Sequence, residues 1–433
     1  TASMTSPVTH PDPSRPSALL QQIGSWLKTD INYLIKGGFW LSSGQVVSAI
    51  STFILAITFA NILPKEVYGT YKYIISLGGI LSMFSLSGIS DATMQSVAQG
   101  HDGALPQAFK LNLLWSIPML VASCIGAGYY IIHDQIGFAI GIILIGLLSP
   151  LFNSASFYGV FLHAKKEFKA ATFYWTITTF SVTALMVLGI FFIPNPIILV
   201  GIYFGANCLT NLFFYWKTIH RYHPSKGPQD PGLVTYSKHL SLINIVGTLA
   251  GQLDSILVFH YVGAAELAIY SFATALPDQI KGMFGALARL AFPNFAQRSA
   301  KEIRATIFDK YLKLFIFGCV TVGVYMFAAP YIYTWFFPKY SSAIVYSQIF
   351  ALSILNVALF PSSTYLAAKK KVREQYFSNF ATYIFQIASL YIMMMLYGVL
   401  GLIVARVATR WFGSISDTYF FLKTSKKDAA QAE

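Results

Sequence analysis

Charge is what this chain has least of. Only 11% of its 433 residues are Asp, Glu, Lys or Arg, against about a quarter in a soluble domain, which excludes an ordinary water-soluble globular protein. Acid is scarcer than base: 17 Asp+Glu stand against 30 Lys+Arg, a net charge of +13. Cysteine is nearly absent. Cys124, Cys208 and Cys319 lie in apolar stretches at unrelated spacings, and an odd number without a ligand pattern argues against a disulfide framework or a metal cluster. They are expected as free thiols packing like small apolar residues. A phosphate-binding glycine loop, a metal motif and a nucleophile triad are all missing, so neither catalysis nor a cofactor or metal is expected. Residues 1–17 are rich in Pro and Ser and lack the apolar core of a cleavable signal peptide. Position 1 is Thr, which reads as a start at Met4 or as a non-native leader over 1–3.

What is present is hydrophobic length. Apolar residues make up 55% of the chain and its mean hydropathy is +0.57. Twelve apolar stretches read as spans: 39–61, 71–93, 109–132, 137–162, 170–193, 196–216, 239–262, 266–292, 312–335, 342–367, 375–396 and 398–422. Each reaches the roughly 20 residues of helix that cross a ~30 Å hydrocarbon core. The loops between them are too short for a folded extramembrane domain. With the N-terminus inside, 23 of the 30 Lys+Arg fall in the tails and cytoplasmic loops. Lys65, Lys72 and Lys339 count with the outer side, and Lys281, Arg289, Arg406 and Arg410 lie within spans. The positive-inside rule expects this asymmetry of the true topology, so both termini are expected in the cytoplasm of a multi-pass inner-membrane (cytoplasmic-membrane) protein. The excess of base then faces anionic membrane lipids, at about 1 kcal/mol per cation near that surface, and nucleic acid is not needed to explain it.

Along the chain, Leu20, Ile23, Leu27, Ile31 and Leu34 recur at helical spacing. They suggest an amphipathic helix in the cytoplasmic interface, within a tail 1–38; a disordered tail is the alternative. The longest internal polar stretch, 217–238, holds Pro224, Pro228 and Pro231 and divides the spans six and six. The expected organisation is an N-terminal six-helix lobe 39–216, a cytoplasmic linker 217–238, a C-terminal six-helix lobe 239–422 and a tail 423–433. The halves also resemble each other. Leu63-Pro-Lys-Glu-Val-Tyr-Gly-Thr-Tyr71 and Val262-Gly-Ala-Ala-Glu-Leu-Ala-Ile-Tyr270 occupy the same place in each half, offset by 199 residues. An even number of spans per repeat gives both halves one orientation, as in transporters that rock two bundles about a central site.

These same residues carry a family resemblance. Asn61-Ile-Leu-Pro-Lys-Glu-Val-Tyr-Gly-Thr-Tyr71, continuing into Ser85-Leu-Ser-Gly-Ile-Ser90, resembles the first two spans of bacterial polysaccharide (oligosaccharide) flippases, Wzx-like members of the multidrug/oligosaccharidyl-lipid/polysaccharide exporter superfamily. Gln252-Leu-Asp-Ser-Ile-Leu257 with Gly263-Ala-Ala-Glu-Leu-Ala-Ile-Tyr-Ser271, and Phe292-Pro-Asn-Phe295, resemble their second lobe. The resemblance implies an all-α polytopic fold, about twelve transmembrane helices in two pseudo-symmetric lobes forming a V-shaped bundle with a central cavity. It also implies a substrate of polyprenyl pyrophosphate bearing an oligosaccharide, flipped from the cytoplasmic to the outer leaflet by alternating access. Polysaccharide polymerisation machinery is a further expected partner.

Ionisable residues inside spans are functional candidates, because each central charge costs about 2.5–3.5 kcal/mol on insertion scales. Thr274, Asp278, Lys281, Gly285 and Arg289 share one helical face. Lys281 and Arg289 are expected to bind the anionic substrate, the alternative being an Asp278–Lys281 pair within the helix and Arg289 snorkelling to the interface. Asn244 and Gln252 are candidates for sugar hydroxyls, with interhelical hydrogen bonding as the alternative. Asp254 and Asp278 are the ion-coupling candidates, since a carboxylate in low dielectric can exchange protons near neutral pH. Arg406, Arg410, Ser414 and Asp417 form a second stripe, expected to pair helices, and Asp91 is expected to cap or pair at the cytoplasmic end of its span. Gln45, Asn61, Asn153, Asn207, Asn211, Asn356 and Gln386 are further polar cavity candidates, and Pro118, Pro150, Pro277 and Pro361 are expected kinks.

Two other functions fit less well. A multidrug or metabolite cation antiporter of the same superfamily commonly uses an acid in its first span, and 39–61 has no Asp or Glu. A membrane glycosyltransferase wants an acidic group in a sizeable outer loop, where the first outer loop offers only Glu66.

Overall fold

The computed structural model describes the backbone of residues 31–431; the side chains of 31–39, 41–42, 226, 239–240, 242–243, 286–294, 296–297 and 429–431 lie outside it. Of the amphipathic segment expected around Leu20–Leu34, residues 20–30 lie outside the described residues.

Every regular element among the described residues is helical. In chain order these are α1 (Ile31–Ile62), α2 (Lys65–Leu81), α3 (Ile89–Ala98), α4 (Ala104–Trp115), α5 (Ile117–Ile132), α6 (Ile136–Ala155), α7 (Phe157–Ala164) and α8 (Phe168–Phe192). They continue as α9 (Pro196–Tyr222), α10 (Leu233–Tyr261), α11 (Ala264–Gln297), α12 (Ala300–Phe336), α13 (Ala343–Ala351), α14 (Phe360–Ala368) and α15 (Val372–Gln431). Eight stretches are long and apolar enough to cross a membrane, nine when the bent pair of α2 and α3 counts as one. α10 and α11 add two more passages that carry central charge, and α15 doubles back at Gly398, where φ is 58° and ψ −140°. These make the twelve passages of an integral membrane protein. Ile125, Phe180, Leu209 and Phe327 are 70%, 67%, 71% and 74% exposed; apolar surface on this scale needs hydrocarbon around it rather than water.

The breaks have local causes. Between α2 and α3 the chain bends by 59° within the Ser85–Ser90 motif. There Ser82 Oγ donates to the Gly79 carbonyl at 2.6 Å, Ser85 Oγ donates to the Ser82 carbonyl at 2.6 Å, and Ser241 Oγ accepts from the Gly88 N–H at 2.9 Å. Hydroxyls thus satisfy backbone groups that a broken helix leaves open in a dry environment. The new helix start places Asp91 in the first turn of α3, where its charge complements the helix dipole. Asp91 is exposed there. Pro118 stands at the start of α5, Pro150 within α6, and Pro361 at the start of α14, after a 3-10 stretch over Leu352–Leu359.

α2 joins the halves. It packs along α10 and α11, its repeat-equivalent. Gly69 lets the two helices meet, since a Cβ there would lie 1.7 Å from the Ala264 carbonyl oxygen. One apolar core, including Phe59, Tyr71, Phe272, Tyr333, Phe337 and Tyr340, runs across both halves at the end of the bundle that carries Lys65 and Lys339. Toward the opposite end the cores are separate. One gathers Leu86, Ala104, Phe161 and Phe214 in the first half, the other Phe295, Ile307, Tyr365 and Phe421 in the second. The 223–232 connection is strapped to the first half: Gln107 exchanges two hydrogen bonds with the Asp230 backbone at 3.0 and 3.1 Å, Ser96 bonds the Asp230 carboxylate, and Gly103 N–H donates to the Pro228 carbonyl at 3.0 Å.

Candidate functional site

The spanning helices of the second half carry most of the ionisable residues, and the fold gathers them beside the seam made by α2. Asp254 on α10 is buried. Its carboxylate accepts from Tyr270 Oη at 2.6 Å and from the Ser255 N–H at 2.8 Å, and Arg406 Nε stands 3.4 Å away. Tyr270 is the tyrosine that ends the second repeat motif, so that motif positions Asp254. One turn further along α15, Arg410 pairs with Asp278 on α11, donates to Ser353 Oγ at 2.7 Å, and lies 4.3 Å from the centre of the Phe350 ring. A spacing of four positions puts the two arginines on one helical face, where both meet neighbouring helices.

This pairing differs from the intrahelical alternative, since Asp278 takes Arg410 from another helix. Lys281 makes no ion pair among the described residues, although Asp278 acts on its charge from one turn away; its Nζ lies 6.0 Å from the Phe360 ring centre. Asp278 keeps 42% of its side chain exposed and Arg410 only 15%. The acid and Lys281 thus border open space while the arginines stand behind them. From the other half comes Lys72. Sequence counts it with an outer loop, but it lies two turns into α2, half-buried, and Asp254 acts on its charge. Four cations (Lys72, Lys281, Arg406, Arg410) therefore share the region with two carboxylates. Arg406 Nε makes the 3.4 Å ion-pair contact to Asp254 without a hydrogen bond, and four cations against two carboxylates leave the region with net positive charge.

The remaining candidates are dispersed. Gln252 packs at the seam, where a Cβ on Gly79 would come within 2.6 Å of its side chain. Asn244 is exposed on α10. Asp417 accepts from Ser378 Oγ at 2.6 Å, tying the two arms of α15, and Ser414 bonds Asn356 at 3.1 Å. The side chain of Arg289 lies outside the described residues. Gln386 donates to the Ala250 carbonyl at 2.8 Å, and Asn207 and Asn211 donate to carbonyls of their own helix. Among the described residues no three His, Cys, Asp or Glu side chains gather as metal ligands.

Residues 34–299 match the family model described as polysaccharide biosynthesis protein. No curated protein matches the chain. Among solved structures, the chain is similar to an inward-facing multidrug resistance MATE family transporter of the MOP superfamily at TM-score 0.67 and 13% identity, over 90% of this chain and 96% of that one. An outward-facing structure of such a transporter gives TM-score 0.63 and 12% identity, over 91% and 96%. The lipid II flippase MurJ in an inward closed conformation gives 0.57 and 14%, over 92% and 91%. At these identities the likeness is one of fold, and the fold is the twelve-helix, two-lobed one.

Proposed function

The chain belongs to the polysaccharide biosynthesis protein family, and from that premise we propose that it flips a polyprenyl-pyrophosphate-linked oligosaccharide from the cytoplasmic to the outer leaflet for surface polysaccharide synthesis. Membership makes it a transporter or flippase of the membrane, and the lipid-linked sugar is the finer step. The observation that carries that step is the surplus of buried positive charge. A pyrophosphate entering hydrocarbon needs positive charge beyond what the protein's own carboxylates neutralise, and Lys281, which makes no ion pair among the described residues, meets that need. Charges of one sign in a low-dielectric wall attract the opposite sign and repel cationic drugs. The apolar side of the bundle leaves the polyprenyl tail in lipid while the head travels inside.

Orientation follows from charge on the same reading. The Lys165, Lys166 and Lys369–Lys371 end faces the cytoplasm of an inner-membrane protein, and the Lys65 and Lys339 end faces outward, with both termini inside. The lobes are then joined at the outer end, so this conformation takes substrate from the cytoplasmic leaflet.

The test is complementation of strains that each lack a defined polysaccharide flippase, with wild type and Lys281→Ala at equal membrane abundance. Polymer should return in at least one strain with the wild type and fall sharply with the variant. Failure in every strain, together with export of cationic drugs, would replace this reading by the antiporter.

A further inference from the structure

A cavity lies wholly in the first half, away from the charged cluster, with a volume of 310 Å³. Its walls come from α1, α7, α8 and α9 and include Gln45, Tyr158, Gly159, His163, Trp175 and Asn211, with no Asp, Glu, Lys or Arg among the lining residues. Its size stands at the small end of the ~300–1,000 Å³ of ligand pockets. One ring-sized unit fits, a whole oligosaccharide does not.

The polar groups there are provided for incompletely. Gln45 is exposed on a membrane-spanning helix, and its amide has no hydrogen-bond partner among the described residues. An amide open to the cavity takes hydroxyl partners and gains nothing from an alkyl chain, so a hydroxylated occupant suits it better. Asn211 spends its N–H on the Asn207 carbonyl at 2.7 Å, which leaves its Oδ1 to accept. The Trp175 indole is 39% exposed, packed on one side where Gly44 allows α1 to approach. An open aromatic face beside amide donors and acceptors is the chemistry that recognises a neutral pyranose: axial C–H groups lie on the ring and hydroxyls meet the amides. Gly159 completes the argument, because a Cβ built there meets nothing within 4 Å.

We propose that this first-lobe cavity is a binding subsite for one neutral sugar residue, stacked on Trp175 and held by Gln45 and Asn211. It rests on the flippase reading for its biological ligand, and it divides the work: the second lobe takes the anionic pyrophosphate, the first takes an uncharged part of the glycan.

Saturation-transfer NMR on the full chain in nanodiscs tests it, with methyl glucopyranoside, methyl galactopyranoside and N-acetylglucosamine as probes. At least one should receive saturation on its ring protons. Gly159→Leu fills the cavity from a helical position where Gly is not required, so the protein folds and the ring signal should be lost. Trp175→Ala should weaken it, and Lys281→Ala should leave it unchanged. An unchanged signal in Gly159→Leu, or no signal from any probe, overturns the subsite. Glycoside binding lost in Gly159→Leu while no polysaccharide strain is complemented sinks the flippase reading instead and leaves the sugar site standing. Complementation that survives alongside unchanged glycoside binding in Gly159→Leu sinks the subsite alone.

Discussion

Lys339 Nζ donates to the Asn61 carbonyl at 2.7 Å, and Asn61 Nδ2 donates to the Phe336 carbonyl at 2.9 Å. The two residues clasp the halves of the molecule across 278 positions of sequence. Behind them Phe53 packs edge-on to Phe336, Tyr68 lies 5.0 Å from Phe272, and Lys65 Nζ lies 5.6 Å from the Tyr340 ring. A conformational change that parts the halves at this end must undo all of these together.

Gly69→Val should part them. Its Cβ has no room against the Ala264 backbone, and backbone, unlike a flexible side chain, cannot swing away. Spin labels at Glu66 and Ser341, in a chain freed of its native cysteines, should report a longer distance in Gly69→Val than in wild type. An unchanged distribution at normal membrane abundance would show that the close approach does not hold this end shut.

Much of the architecture is legible in the amino-acid sequence. Hydrophobic length marks most of the passages, because a membrane demands apolar helix of a set size, while α10 and α11 carry central charge and the passage of α2 and α3 is bent by 59°. The equivalence of Leu63–Tyr71 and Val262–Tyr270 reappears as two equivalent helices crossing at Gly69. What sequence does not disclose is partnership between helices. Spacing puts Lys281 beside Asp278, three residues along one helix, yet the carboxylate takes Arg410, 132 residues away. Asp254 has no cation within a turn of its own helix, and its partner Arg406 comes from the last passage. Kinks divide the same way. Proline marks some of them, but the sharpest break in the first half uses Ser82, Ser85 and Gly88, whose hydroxyl and backbone roles have no single-residue signature.

The Asp254–Arg406 relationship predicts an asymmetry of stability. Asp254→Leu leaves a buried guanidinium without its carboxylate, and breaking one side of a buried pair costs about 3–5 kcal/mol. Asp254→Leu with Arg406→Met removes both charges and should recover most of the loss. Thermal melting of the purified protein in detergent measures this, and equal melting points for single and double variants would show that the pair is not what holds the region.

Topology is testable by labelling. Single cysteines at Lys339 and at Ser225, with Cys124, Cys208 and Cys319 replaced, should react oppositely with an impermeant thiol reagent. Lys339→Cys should label on intact cells and Ser225→Cys only after permeabilisation. Labelling of both from outside overturns the proposed orientation.

The ion-coupling hypothesis distinguishes Asp254 from Asp278 by their surroundings. Asp278 keeps 42% of its side chain exposed against a well-buried Arg410, whereas Asp254 is enclosed with Arg406, Tyr270 and the field of Lys72 from the other half. Because Lys72 and Asp254 lie on opposite sides of the seam, the charge on Asp254 bears directly on how strongly α2 is drawn to α10. Protonating Asp254 weakens that attraction, and under the proposed function a pyrophosphate arriving at these cations would compete for the same partners. On this hypothesis Asp254→Asn should make transport insensitive to an imposed pH gradient while lipid-linked substrate still binds, and Asp278→Asn should keep the response. Membrane potential is the rival drive, at about 2.3 kcal/mol per charge per 100 mV. Vesicles with pH gradient and voltage set independently separate the two. A pH-gradient response that persists in Asp254→Asn would rule out this carboxylate as the carrier and leave voltage acting on the net positive cluster as the driving force to pursue.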